Sequence, residues 1–103
     1  HMIDAEDYEA FVWIRDNVDD SYQKAILDPW KATPFTAITG KYVYSRLHMG
    51  PTDMTRSTRA YIEDGCMDTE FLRSNGISVI YTDGVCPNPD LVEVNKGVYL
   101  LRE

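Results

Sequence analysis

Apolar residues recur at Tyr8, Phe11, Ile14 and Val18, with Val12 broadening the stripe, and this spacing predicts one face of a helix packed on something flat. Asp4 stands where an N-cap is wanted, and the acids of the first turn complement the helix dipole. A polar turn from Asn17 to Tyr22 follows, then a short buried strand from Lys24 to Leu27. Thr33 as N-cap, Pro34 at the first helical position and Gly40 just past the end predict a second helix of about two turns. Tyr42 to Tyr44 reads as the second strand.

Ser45 to Thr52 contains Gly50-Pro51 and reads as a loop. Thr52 or Asp53 then caps a helix running through Asp64 and closed by Gly65, although Thr55, Ser57 and Thr58 weaken it intrinsically. Asp68 caps a short helix, TEFLRSN, ended by Gly76. ISVIY, from Ile77 to Tyr81, is a continuous apolar run suited to a central strand covered on both faces. After the irregular DGVCPNP, Leu91 to Val94 and Val98 to Leu101 form a hairpin around a three-residue loop, Asn95-Lys96-Gly97. The order predicts a small layered α/β domain: a mixed sheet of about five strands ending in an antiparallel hairpin, with helices packed on the sheet.

Size fits one such domain, since 103 residues can build a single modest core. His1-Met2 reads as a cloning remnant and residues 3–103 as the domain, cut from a longer chain. With 44% hydrophobic residues the chain should fold, and no run of ~18 apolar residues is present to span a membrane.

Charge changes the picture by its placement. Through Gln23 the acids Asp4, Glu6, Asp7, Glu9, Asp16, Asp19 and Asp20 face only Arg15, giving −6. From Lys24 to Arg59 the bases Lys24, Lys31, Lys41, Arg46, Arg56 and Arg59 face only Asp28 and Asp53, giving +4, and the remainder carries −5. A domain of net charge −7 is a poor general binder of nucleic acid, whose phosphates need a positive field. The basic middle could hold one anion or simply be solvated.

No phosphate-cradling or dinucleotide-binding glycine pattern, HExxH or GxSxG occurs. His48 is the only histidine besides His1 and has no acidic or cysteine neighbour at ligand spacing, so neither a metal nor another cofactor is expected. The two cysteines are more informative. Cys66 precedes a helix and Cys86 follows the strand that returns from it, which brings both to one edge of the sheet. A disulfide there would add ~3 kcal/mol in the chain-entropy argument and imply an oxidising compartment; two separate thiols are the other reading.

The loop after the first strand is the candidate site. If that strand runs parallel to Ile77–Thr82, Asp28, Trp30, Lys31 and Asp83 emerge at one carboxyl edge, where open α/β sheets hold ligands. Trp30 could then stack on a sugar, Asp28 accept from hydroxyls and Lys31 meet an anion. Alternatively Trp30 covers the core and Asp28 caps a turn.

YEAFVWIRDNV, then AILDPWKATPFTAITGKYVYS, then NGISVIYTDG and the closing GVYLL resemble, over nearly the whole chain, the carboxy-terminal extracytoplasmic domain of archaeal multi-pass membrane glycosyltransferases. These include relatives of the oligosaccharyltransferase catalytic subunit and of protein O-mannosyltransferases. Trp13-Ile14-Arg15-Asp16-Asn17 matches that subunit's helical run, but its Trp-Trp-Asp-Tyr-Gly motif is absent: the locus reads Leu27-Asp28-Pro29-Trp30-Lys31-Ala32. No sequon-recognition residue is therefore carried over. The resemblance implies a non-catalytic domain on the outer face of the cell membrane that positions an acceptor or a lipid-linked donor. Its partners would be the membrane portion of the parent protein and a glycan or acceptor polypeptide. A ligand-binding or interaction module unrelated to glycosylation is the alternative, and a self-contained enzyme using His48 with Asp28 or Asp53 is a third.

Overall fold

The structure, a computed structural model, describes residues 3–45 and 53–102. In chain order it contains α1 (Ala5–Asn17), β1 (Lys24–Ile26), a 3-10 turn (Pro29–Lys31), α2 (Ala32–Thr39), β2 (Tyr42–Val43), α3 (Asp53–Glu63), α4 (Thr69–Ser74), β3 (Val79–Tyr81), β4 (Leu91–Asn95) and β5 (Val98–Leu101). The strands form one mixed sheet in the order β2-β1-β3-β5-β4. β1 pairs in parallel with β2 and β3, while β5 is antiparallel to both β3 and β4. The expected α/β architecture and closing hairpin are both present.

Strand alternation divides the interior in two. Ala25, Leu27, Val79 and Val98 face a cluster with Phe11 and Ile14 of α1 and Phe35 of α2. Ile26, Ile80 and Tyr99 face the opposite way, toward Tyr61 of α3 and Leu72 of α4. β3 is the middle strand, and Val79 and Ile80 are fully buried on opposite faces, which is why ISVIY shows no polar alternation. Each fully buried side chain of this size stabilises by about 1.5–3 kcal/mol.

Three local expectations are corrected. Thr33 does not cap α2: Asp28 starts the helical segment, its carboxylate accepting from the Trp30 amide at 3.1 Å, and the 3-10 turn runs directly into Ala32. Asp28-Pro29 and Thr33-Pro34 carry the same cap-and-proline signature, and the earlier one acts. Pro34 is tolerated because it falls in the first turn of α2, where amides have no helical partner. Second, the hairpin loop is two residues, because Asn95 pairs opposite Val98 after a register shift between Glu93 and Asn95. Gly97 adopts φ +77°, and a Cβ there would lie 2.8 Å from the Thr82 carbonyl oxygen, so conformation and space both require glycine. Third, Tyr8 is 55% exposed and Asp7 is buried. The buried stripe of α1 is Asp7, Ala10, Phe11 and Ile14: it keeps Phe11 and Ile14 of the expected stripe and exchanges Tyr8 for Asp7 and Ala10.

Candidate functional site at the carboxyl edge

A cleft of about 670 Å³ opens at the carboxyl end of β3. It is lined by the first turns of α1, by Lys31 after β1, by Thr82 to Val85 after β3 and by the Lys96-Gly97 loop. The topology explains the position. The chain leaves β1 for the α2 side and leaves β3 toward Cys86 on the α3–α4 side, and such a divergence between adjacent parallel strands leaves a crevice at their carboxyl ends.

Asp7 anchors the wall. One carboxylate oxygen accepts from the Tyr81 hydroxyl at 2.6 Å and from Lys31 Nζ at 3.1 Å. The other accepts from the Asp4 amide at 3.1 Å, while Asp4 Oδ1 accepts from the Asp7 amide at 2.8 Å, closing a capping box. Burial by itself pushes the Asp7 pKa up, but the Tyr81 hydroxyl, the Asp4 amide and the Lys31 ammonium together hold it below the ordinary carboxylate value. Tyr81 is pushed far above the usual phenol value by burial, by its bond to Asp7 and by the charges of Asp7, Asp4 and Glu6. The Lys31 ammonium also lies 5.9 Å from the centre of the Tyr81 ring, within cation–π range.

Of the residues chosen from sequence, Lys31 and Asp83 both line the cleft, whereas Asp28 and Trp30 do not. Asp28 is engaged in capping the 3-10 turn, and Trp30 is 58% exposed on that turn. The Asp28-Pro29-Trp30-Lys31 stretch therefore turns the chain and also supplies one residue of the wall, Lys31. His48 lies outside the described residues, as do Arg46 and Thr52. Asp7 and Tyr81 were missed. The available signals were the position of Asp7 in register with Ala10, Phe11 and Ile14, and the position of Tyr81 as last residue of a buried strand. Among the described residues no three His, Cys, Asp or Glu side chains are grouped to hold a metal ion.

On the opposite face Cys66 and Cys86 form a disulfide, with Cα atoms 5.1 Å apart. Its surroundings are tightly tied. The Cys66 carbonyl accepts from the Tyr61 hydroxyl and from Asn88 Nδ2, each at 2.9 Å, and Asn88 Nδ2 also reaches Thr69 Oγ1 at 2.8 Å.

Compared with family models, with curated proteins and with solved structures, the chain matches none of them at a significant level.

Proposed function

We propose that this chain is an outward-facing domain of a glycosyltransferase-like membrane protein, positioning an acceptor or a lipid-linked donor without performing the transfer. The observation that carries the non-catalytic part is the locked state of the cleft wall. Asp7 is ionised with its oxygens engaged, and Tyr81 is held protonated, so neither is poised to exchange a proton near neutral pH. Such groups give a fixed surface, which suits binding. The Cys66–Cys86 bond supports an oxidising location, and no described helix is long and apolar enough to cross a membrane, which fits an extramembrane part. The glycosyltransferase context comes from the resemblance of the VWIRDN helix and the strands that follow it. The membrane portion of the parent, and a glycan or acceptor polypeptide, are its partners in this reading.

The coding sequence upstream of Ile3 tests the membrane reading: a series of hydrophobic spans is expected, and a parent without any overturns it. The purified chain should hydrolyse and transfer nothing, and a turnover that survives repurification would overturn the non-catalytic assignment. A ligand-binding module unrelated to glycosylation is the second reading, favoured by the cleft itself, and it survives a parent without membrane spans.

A further inference from the structure

The cleft carries a strong charge bias. Among the described residues, Asp4, Glu6, Asp7, Glu9, Asp83 and Glu93 contribute six carboxylates to its lining and Lys31 and Lys96 two ammonium groups, a formal charge of −4. Both lysines are already committed. Lys31 pairs with Asp7, and Lys96 Nζ lies 2.8 Å from a Glu6 carboxylate oxygen. The side-chain carboxylates of Glu9 and Asp83, in contrast, form no hydrogen bond or ion pair among the described residues. Aromatic and apolar side chains share the lining with these acids: Trp13 of α1, Tyr81 and the 80% exposed Val85. The chain also shows what this wall accommodates, because the Lys31 ammonium sits against a buried carboxylate and beside the Tyr81 ring.

We infer that the cleft receives a cationic side chain, an ammonium or guanidinium carried by an extended polypeptide, and does not receive the phosphate of a lipid-linked donor. The inference rests on the positioning role proposed above and chooses between its two ligands. A concave site of one sign focuses its field and attracts the opposite charge, while an anionic headgroup would meet net repulsion. The apolar stem of lysine or arginine can lie on Trp13 and Val85 while its head reaches Glu9 and Asp83. A neutral sugar uses no part of the charge bias.

Backbone amide NMR titration of the chain provides the test, with acetyl-Gly-Arg-Gly-amide and acetyl-Gly-Lys-Gly-amide as probes. Acetyl-Gly-Glu-Gly-amide and inorganic pyrophosphate serve as the opposite-charge probes. Saturable shifts at Glu9, Trp13, Asp83 and Gly84 are expected with the basic peptides alone. Raising ionic strength from about 0.01 to 0.15 M shortens the screening length from roughly 30 to 8 Å and should weaken them severalfold. Glu9→Gln with Asp83→Asn, both exposed positions, should weaken binding by about tenfold, corresponding to the loss of two rim charges. A coincident melting curve for the double variant shows that the fold is intact. Pyrophosphate binding at these amides, equal shifts with the acidic peptide, or basic-peptide shifts unaltered in the double variant would each overturn the inference. Because the upstream sequence decides the membrane reading separately, failure here removes the cationic ligand and leaves that reading to stand or fall alone.

Discussion

On the α1–α2 face, Phe11 meets both Phe35 and Tyr81 edge-on at ring-centre distances of 5.1 and 5.2 Å, between helices of 13 and 8 residues. On the α3–α4 face, α4 has only six residues, and the segment from Cys66 to Cys86 that contains it is closed by the disulfide. A helix that short has no stability of its own. It is held instead by Leu72 beneath it, by Asp68 capping its start through the Phe71 amide, and by the covalent bond. The difference teaches that one face is held by burial together with the Asp7 network, while the other adds to its own aromatic packing a covalent restraint on the unfolded chain. It also places the cleft beside the burial-fixed face, where its wall can be rigid.

The largest effect should come from the packed face. Phe11→Ala should cost about 3–5 kcal/mol, as for other large buried aromatics, read from the shift in urea midpoint. If that cost fell below the cost of removing the disulfide, the ranking of the two faces would be reversed. Next, converting both Cys66 and Cys86 to Ser should cost about 3 kcal/mol for a loop of this length. Hydrogen exchange would sharpen the contrast, because amides of α3 and α4 should lose protection well before those of α1.

Asp7→Asn should cost about 1–2 kcal/mol, since Lys31 is partly exposed and can recover water while Tyr81 keeps a neutral acceptor. Its pH dependence has a definite sign. The folded pKa of Asp7 is depressed, so its contribution is complete above the unfolded carboxylate value of about 3.9 and is lost as pH falls through the lower folded value. The stability gap between wild type and Asp7→Asn should therefore be constant at neutral pH and shrink only in acid. A gap that instead closed between roughly pH 6 and 8 would show that a different group titrates there. The smallest effect is expected from Trp30→Ala: at 58% exposure it should change stability by no more than about 0.5 kcal/mol. A loss of several kcal/mol by calorimetry would make Trp30 a structural residue of the turn.

Much of the architecture was legible because the relevant signals were local. Asp4 and Asp68 cap the helices assigned to them, and Gly40 takes the left-handed φ of +76° expected just past a helix. ISVIY became the central strand because only a doubly covered strand tolerates such a run. The disulfide was accessible from topology, since a helix and a returning strand bring their outer ends together. What escaped depended on tertiary context. Asp7 reads as one more first-turn acid until Tyr81, 74 residues away, donates to it. Trading Tyr8 for Asp7 at the interface turns the helix by only part of a residue's step, and side-chain periodicity cannot choose between faces that share Phe11, Ile14 and Val18. The cap of α2 was misplaced because two cap-and-proline pairs, Asp28-Pro29 and Thr33-Pro34, follow each other closely, and only the path of the chain after β1 selects Asp28.

Both ends of the sheet are blunt. β2 at one edge is two residues long, and β4 at the other is interrupted by the register shift between Glu93 and Asn95. An open strand edge offers a row of unpaired amides and carbonyls to any other chain, the route by which sheets extend into fibres, and short or irregular edges close that route. The sheet is therefore finite by construction. A polypeptide lying across the acidic cleft would be held by its side chains, without adding a strand to the ladder, and could leave without opening a backbone hydrogen bond of the domain.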